Sequence, residues 1–395
     1  FDMRTIMLTC LLFCLYGSAT GQISKQAVAD SILADLKKTF APDKRIAVWD
    51  VQTSVSGKTL AVSGVTDQPE AKGALLQRLQ QADIMAQTNL QILPDTALGA
   101  YIFGIVKVSV ANIRSEPKHS AELATQALLG APIKVLRQQG DWYQIQTPDR
   151  YIGWLENGAF ARKTEAEMQR WRQSERLIFL GDHALCYAGP EQSVPLSDLS
   201  TGAIVEWNAA SGRIVFPDGR TAVLPAGAWL PLENWKHRTV SNMDSVLTTA
   251  ARFSGRPYLW GGTSGKGLDC SGFTKTVYFL LGHIIPRDAS QQVFAGEPVV
   301  WTSDFSNLLP GDFLFFGNFR PDGSRRISHV GIYTGKGRFI HSGSDNGSIQ
   351  EQSLRPGDAD FQEHRLKSLM DVRRLQSGSS EVQPVRNSGW YFQSF

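Results

Sequence analysis

Three residues of this chain have the types and spacing needed for nucleophilic catalysis: Cys270, His329 and His341. A cysteine attacks as its thiolate, so it needs a nearby base and gains from the partial positive charge at a helix N-terminus. Cys270 opens an apolar pattern at helical spacing that ends at Gly282, so we expect the thiol in the first turn of a helix. This setting predicts a nucleophile whose pKa is lowered.

The two histidines lie on runs that predict strands, at residues 327–333 and 337–342, with a glycine-rich turn between them. A hairpin of these strands would bring the imidazoles side by side. We then expect His329 to be the general base toward Cys270 and His341 to orient its other ring nitrogen. The alternative is a buried structural cysteine with two unrelated histidines, and the joint pattern favours catalysis.

Six motifs give residues 242–375 a resemblance to the NlpC-type cell-wall cysteine peptidases. In chain order they are PYLWGG at 257–262, DCSG at 269–272, RDASQQ at 287–292, LPGDFLFF at 309–316, SHVGIY at 328–333 and FIHS at 339–342. The resemblance implies a papain-like fold. It also implies cleavage of the bond between D-γ-glutamate and the L-diamino acid of peptidoglycan stem peptides.

Short alternating runs separated by turn residues fill residues 101–161 and predict a small β-barrel that resembles a bacterial SH3-like domain. A weaker copy spans residues 177–235. Two such domains before the peptidase resemble the YkfC group of γ-D-glutamyl-L-diamino-acid endopeptidases, which act on stem peptides with a free N-terminal L-Ala. In that group the first SH3-like domain covers part of the cleft.

The YkfC resemblance implies that Glu116 and Tyr151 hold the substrate ammonium, and Asp269 is a further acceptor. An ammonium that enters a closed site must find acceptors, because an unpaired buried charge is costly. The sequence also allows a purely structural role for each residue: Tyr151 as an aromatic residue of the barrel core and Glu116 as a solvated turn residue.

The resemblance assigns roles to further residues around the nucleophile. It places the Tyr258 hydroxyl near the thiol, where it would stabilise the oxyanion with the Cys270 backbone N–H; aromatic packing is the alternative. Other residues are implied to hold the free α-carboxylate of D-γ-Glu and to shape the cleft: Ser271, Ser290, Arg287 and Asp288. A structural ion pair accounts for Arg287 and Asp288 equally well.

The fold class predicted is multidomain α+β, because 395 residues exceed what one hydrophobic core usually serves. The expected parts are a signal peptide at 3–22, a small N-terminal α+β domain at 23–98, two SH3-like β-barrels at 99–163 and 176–236, a papain-like α+β peptidase domain at 240–378 and a tail at 379–395. Helices are expected at 26–40, 70–85 and 165–176, and strands at 45–53 and 59–65. The N-terminal domain shows no chemistry and is a candidate spacer or partner-binding module, while the tail ends in apolar residues that are candidates for docking.

Charge and cysteine content narrow the remaining function classes. A formal net charge of +3 indicates no nucleic-acid partner and no membrane-binding tail. The leader predicts export to the periplasm or the extracellular space without stable membrane insertion. No cofactor and no metal are expected, since the other histidines lack ligand spacing. Cys186 is expected to be an unpaired core residue, with a Cys186–Cys270 disulfide as the alternative.

The predicted partner is a peptidoglycan stem peptide, and the protein is expected to be a monomer. The rival functions are a wall-binding adaptor with an inactive enzyme fold, a related acyltransferase or lipid-modifying enzyme, and an endopeptidase on intact peptidoglycan. The endopeptidase is the most similar to the predicted function. It differs because it would also cleave stem peptides with a blocked N-terminus. The sequence leaves open whether meso-diaminopimelate or L-Lys is preferred.

Overall fold

The structure is a computed structural model that describes residues 24–56, 59–191, 193–240 and 243–392. The predicted signal peptide lies outside these residues. The described residues divide into two compact units, one within Phe1–Pro42 and Ala47–Ile92 and the other within Asp43–Ile46 and Leu93–Phe395. Among the described residues, none of the helices combines the length and apolar character needed to cross a membrane.

The smaller unit is a three-stranded sheet with two helices. Its elements are α1 (Lys25–Phe40), β1 (Trp49–Ser56), β2 (Thr59–Thr66), α2 (Pro69–Gln81) and β3 (Ala86–Ile92). β1 and β2 are antiparallel, whereas β3 joins β2 in parallel. The predicted small α+β fold is confirmed, but β3 was not predicted. α2 ends at Gln81, before the expected residue 85, because Asp83 takes a left-handed φ of 52°.

The larger unit begins with a seven-stranded antiparallel sheet. Its strands are β4 (Phe103–Val106), β5 (Val110–Arg114), β6 (Leu123–Leu128), β7 (Pro132–Gln139), β8 (Trp142–Gln146), β9 (Ile152–Glu156) and β10 (Phe160–Lys163), in the order β10-β4-β7-β8-β9-β5-β6. Inward residues alternate along the strands, so Ile113, Val135 and Ile145 are buried in one core. Among the described residues the strand pairings do not close into the complete barrel that we expected.

A second, smaller sheet follows a linker helix. α3 (Glu165–Gln173) starts with a capping box of Thr164 and Glu167 and ends before the predicted residue 176, which lies in the next strand. The elements after it are β11 (Arg176–Phe179), the hairpin of β12 (His183–Cys186) and β13 (Ser197–Ser200), β14 (Ile204–Asn208), β15 (Arg213–Val215), β16 (Thr221–Val223), β17 (Trp229–Pro231) and α4 (Leu232–Trp235). The sheet order is β16-β15-β14-β11-β17. Here too the described pairings form an open sheet.

The C-terminal part sets one buried helix against a six-stranded sheet. Its elements are α5 (Met243–Ala251), β18 (Thr263–Ser264), β19 (Gly267–Leu268), α6 (Cys270–Leu280), β20 (His283–Ile284), α7 (Ala289–Gln292), β21 (Glu297–Pro298), β22 (Phe313–Phe319), β23 (Arg325–Gly335), β24 (Arg338–Gly343), β25 (Ser348–Ser353), α8 (Glu363–Ser368), β26 (Leu369–Arg374) and β27 (Gln383–Pro384). The sheet order is β21-β26-β22-β23-β24-β25. Phe273 and Val277 of α6 are fully buried in the core that this sheet covers.

The chain end docks within the larger unit, as its apolar residues indicated. β27 pairs with β20, and Tyr391 packs against Trp235 and Phe279 with ring centroids 5.8 and 6.0 Å away. Tyr391 is only 3% exposed. Burial of these rings fixes the end of the chain beside the peptidase core.

Candidate active site

Cys270 is the first residue of α6, as its position before the apolar pattern predicted. Asp269 is the N-cap, and its side chain accepts a hydrogen bond from the Gly272 N–H at 2.7 Å. The helix start lies so close to the preceding loop that a Cβ on Gly272 would come 2.0 Å from the Gly262 carbonyl oxygen. A glycine is therefore required there, one turn into the helix that positions the thiol.

The two histidines face each other across the predicted hairpin. β23 and β24 are antiparallel, and His329 Nε2 lies 2.9 Å from His341 Nδ1. The ring centroids are 4.9 Å apart. Both side chains are buried, at 7% and 0% exposed. The hairpin and the adjacent imidazoles are therefore confirmed.

Gln352 of β25 extends this pair, and the sequence did not reveal it. Its Oε1 lies 2.7 Å from His341 Nε2, while its Nε2 donates to Asn346 Oδ1 at 3.2 Å. An amide oxygen only accepts, so His341 carries its proton on Nε2 and accepts on Nδ1 from His329 Nε2–H. His329 is thereby left with a bare Nδ1, which is the form that a general base needs.

The thiol lies in one buried cluster with Val330, the neighbour of His329 on β23, and the Val330 backbone favours the thiolate form. Burial and the negative charge of Asp269 raise the pKa of this thiol to about 12, against the opposing effects of Val330 and Arg287. The expected lowering of the Cys270 pKa is therefore wrong. The helix N-terminus is present, but desolvation outweighs it.

The imidazoles are neutral for the same reason. Burial and the neighbouring His341 hold the pKa of His329 well below its ordinary value. Burial lowers the pKa of His341 to about 4, although its bond to Gln352 opposes this. These shifts leave the thiol and both imidazoles neutral at neutral pH.

Arg287 is fully buried and ties the nucleophile's helix to the first sheet. Its guanidinium donates to Asp269 at 2.6 and 3.1 Å, to Ser271 Oγ at 3.0 Å and to Thr125 Oγ1 at 2.9 Å. It forms its shorter ion pair with Asp269, at 2.6 Å, and a longer one with Asp288, at 3.7 Å, so the structural ion pair between Arg287 and Asp288 is present. With further bonds from two backbone N–H groups, the Asp269 carboxylate is saturated by protein donors. Its place in an ammonium pocket stays a prediction.

Asp288 and Ser290 meet a residue that the sequence did not single out. Arg45 Nη1 donates to Asp288 Oδ2 and to Ser290 Oγ, both at 2.8 Å. The Arg45 carbonyl also accepts from the Ile152 N–H at 2.6 Å, which ties the segment Asp43–Ile46 to the first sheet. Arg45 lies before β1, which begins at Trp49 and not at residue 45 as predicted, so the strand pattern did not mark it as a site residue.

Tyr151 lies near this polar group, whereas Glu116 does not contact it. Tyr151 is 7% exposed, and burial together with the nearby Asp288 raises the pKa of its hydroxyl, which stays protonated. The Glu116 side chain is 61% exposed and pairs with Lys118 at 2.7 Å. Within the described residues it touches no other predicted site residue. Its ammonium role remains a prediction without structural support.

Tyr258 is half-buried close to the nucleophile. Burial raises the pKa of its hydroxyl, and the charges of Cys270 and Asp269 act in the same direction. The hydroxyl is therefore a neutral donor throughout the physiological range, which suits an oxyanion ligand. That role stays a prediction.

Cys186 and Cys270 are both free thiols. Cys186 is fully buried on β12, where burial raises its pKa to about 11. The alternative of a disulfide between them is therefore wrong, and the expectation of an unpaired core cysteine is confirmed.

Two family models match the chain. The NlpC/P60 family model matches residues 255–366, which include α6 and the histidine hairpin. The model of the bacterial dipeptidyl-peptidase Sh3 domain matches residues 113–160 in the first sheet. The second sheet lies outside both matched ranges.

Relatives and a solved structure agree with these matches. The chain is 31% identical over 246 residues to the gamma-D-glutamyl-L-lysine dipeptidyl-peptidase of Bacillus cereus, covering 58% of this chain and 70% of the relative. It is 27% identical over 261 residues to dipeptidyl-peptidase 6 of Lysinibacillus sphaericus, covering 63% of this chain and 91% of the relative. The crystal structure of an NlpC/P60 family protein from Bacillus cereus superposes with a TM-score of 0.58 at 25% identity, covering 70% of this chain and all of that one. The chain belongs to the NlpC/P60 family of cysteine peptidases.

Proposed function

We propose that this protein hydrolyses the bond between D-γ-glutamate and the L-diamino acid of peptidoglycan stem peptides that have a free N-terminal L-Ala. The product would be the dipeptide L-Ala-γ-D-Glu. The observation that carries this proposal is the chain of hydrogen bonds from Gln352 through His341 to His329, beside a thiol at a helix N-terminus. The bond specificity is supported by the similarity to the gamma-D-glutamyl-L-lysine dipeptidyl-peptidase of Bacillus cereus.

The reaction begins with a neutral thiol. Cys270 attacks the γ-carbonyl as His329 Nδ1 takes its proton, and the oxyanion accepts hydrogen bonds from the Cys270 backbone N–H and the Tyr258 hydroxyl. His329 then protonates the leaving amine of the diamino acid. A water molecule that gives its proton to the same imidazole attacks the thioester, which releases the dipeptide and restores the thiol.

The acyl half of the substrate would lie on the side of the first sheet. Arg287 holds Ser271 in place, and Arg45 holds Ser290, so both hydroxyls are positioned to receive the α-carboxylate of D-γ-Glu. The Tyr151 hydroxyl stands near Asp288 as a neutral ligand for the L-Ala ammonium. The first sheet would form a wall of the cleft and keep out stem peptides that are still linked to glycan chains, so the enzyme would cut released peptides.

The setting in the cell belongs to the same proposal. The leader at residues 3–22 supports export to the periplasm or the extracellular space. There the protein would act as a monomer on the peptides of the cell wall.

The test compares L-Ala-γ-D-Glu-L-Lys with its N-acetylated form, with products read by mass spectrometry. We expect hydrolysis of the free peptide to L-Ala-γ-D-Glu and none of the blocked one. Tyr151→Phe should reduce turnover of the free peptide. Tyr143→Phe is its matched control, since Tyr143 is a buried tyrosine of the same sheet that packs on Phe160. Equal cleavage of both peptides would favour an endopeptidase on intact peptidoglycan.

A further inference from the structure

A second polar cluster lies at the edge of the histidine pair. It consists of Asp345, in the loop between β24 and β25, and of His364 and Arg365 on α8. Asp345 Oδ2 lies 3.1 Å from His364 Nε2 and 3.1 Å from Arg365 Nη2. Its carboxylate therefore holds two basic side chains together.

The cluster lies close to the proposed catalytic histidines. The Arg365 guanidinium lies over the Phe316 ring, 5.8 Å from its centroid, and that ring lies 5.7 Å from His329. A Cβ at Gly343 would come 2.3 Å from Asp345 Oδ1 and 2.8 Å from His341 Cε1, so both side chains flank this glycine, and the Asp345 charge opposes the lowering of the His341 pKa. The cluster is thus one side chain removed from the proposed base.

Arg365 has more donors than the protein uses. Its side chain is only 13% exposed, and its Nε is buried without a hydrogen-bond partner. Within the described residues its one hydrogen-bond partner is Asp345, although a guanidinium has five N–H donors in a fixed fork. A buried donor without an acceptor is unfavourable, so this fork suits a planar acceptor supplied by a ligand.

Arg365 lies on the side of Phe316 and His329, and its charge reaches Tyr258. Arg287 and Arg365 both oppose the rise in the pKa of the Tyr258 hydroxyl. Arg287 belongs to the wall that would receive the acyl half of the substrate. Arg365 is held instead beside Phe316 and the histidines, the side from which His329 would protonate the leaving amine.

We propose that the Arg365 guanidinium binds a carboxylate of the leaving L-diamino acid. This inference rests on the proposed function, since it assigns the far half of the same substrate. A guanidinium and a carboxylate form two parallel hydrogen bonds, which fix orientation as well as add affinity. Asp345 aims the fork, and Phe316 supports its flat face.

The leaving residue can offer one of two carboxylates to Arg365. When it is L-Lys, it has only its α-carboxylate, whereas meso-diaminopimelate has a second carboxylate on its side chain. Binding of the α-carboxylate would select peptides that end at the diamino acid. Binding of the side-chain carboxylate would select meso-diaminopimelate over L-Lys.

The experiment measures kcat/KM for wild type and Arg365→Met on three peptides: L-Ala-γ-D-Glu-L-Lys, its C-terminal amide, and the meso-diaminopimelate tripeptide with its α-carboxyl amidated. Loss of a charge-assisted contact should lower kcat/KM about 10- to 100-fold on a peptide whose carboxylate it holds. The L-Lys amide has no carboxylate on its leaving residue, so its turnover should change little and reports on folding. Lys367→Met is the matched control, an exposed cation on the same helix, and it should behave as wild type on all three.

The pattern of losses decides the proposal. A loss on the L-Lys acid alone supports the α-carboxylate, and a loss on the amidated meso-diaminopimelate peptide supports the side-chain carboxylate. Equal losses on every peptide, or no loss on any, would overturn the role of Arg365 while leaving the proposed function intact. A wild-type protein that cleaves none of the three would overturn both.

Discussion

Replacing Gln352 with leucine should slow catalysis without removing any group that touches the substrate. The Gln352 oxygen accepts from His341 Nε2–H at 2.7 Å, and His341 is fully buried. Without this acceptor the N–H is left unsatisfied, at a cost of about 2 kcal/mol. His341 can escape that cost by moving its proton to Nδ1, but it then no longer accepts from His329. Because about 1.4 kcal/mol is a factor of ten, we expect kcat to fall roughly thirty-fold.

The assay is the pH dependence of kcat and KM on the free tripeptide. Gln352→Leu should lower kcat with little change in KM, because the residue is remote from the substrate. Gln352→Glu should restore part of kcat, since a carboxylate also accepts from Nε2–H. It should also move the acid limb of kcat/KM to higher pH, because a negative charge raises the pKa of His341 from about 4.

Gln350→Leu is the matched control for this series. Gln350 is an exposed glutamine on the same strand, bonded to Ser348 Oγ, and its loss should leave kcat and the pH profile as in wild type. A kcat for Gln352→Leu within twofold of wild type would refute the reasoning. So would a loss of the same size in Gln350→Leu.

The burial of ionisable side chains leads to three further predictions. Because burial raises the Cys270 pKa to about 12, its alkylation by iodoacetamide should keep accelerating above pH 9 in the free enzyme. Lys275→Met should lower the free energy of unfolding by about 3 kcal/mol, since it strands the buried Asp149 carboxylate 2.5 Å away, and adding Asp149→Leu should recover much of this in urea denaturation. His329 and His341 have pKa values below the ordinary 6.5, so the unfolded chain takes up protons first, and stability should fall between about pH 6.5 and 4.

Each of these has an opposite result that would count against it. An alkylation rate that levels off below pH 7 would mean that Cys270 is a preformed thiolate. A Lys275→Met protein as stable as wild type would show that the pair is solvated. Urea midpoints that do not change from pH 7 to 5 would contradict neutral buried imidazoles.

The sequence predicted the parts of the site that depend on local patterns. The period of apolar residues after Cys270 and the glycine at its end were enough to place the thiol at the start of α6. The glycine-rich turn between two alternating runs was enough to pair His329 with His341. Both features follow from the backbone periods of helix and strand.

Features that depend on tertiary contacts were missed. Gln350 and Gln352 lie two residues apart on β25 and share one face of the strand, and it is the Gln352 side chain that bonds to the His341 ring; Arg45 reaches Asp288 across 243 positions of chain. The lowered Cys270 pKa was wrong for a related reason. The helix N-terminus can be read from the sequence, but the burial of the thiol and the nearby charge of Asp269 arise only when the sheet covers the helix.

The central claim is that Cys270 forms a covalent acyl intermediate with the L-Ala-γ-D-Glu half of the substrate. The direct measurement is mass spectrometry of the enzyme quenched in acid during turnover of L-Ala-γ-D-Glu-L-Lys, followed by peptide mapping. We predict a dipeptidyl adduct on the peptide that contains Cys270 and no adduct or turnover in Cys270→Ala. Turnover that persists in Cys270→Ala, or an adduct on another residue, would contradict the account.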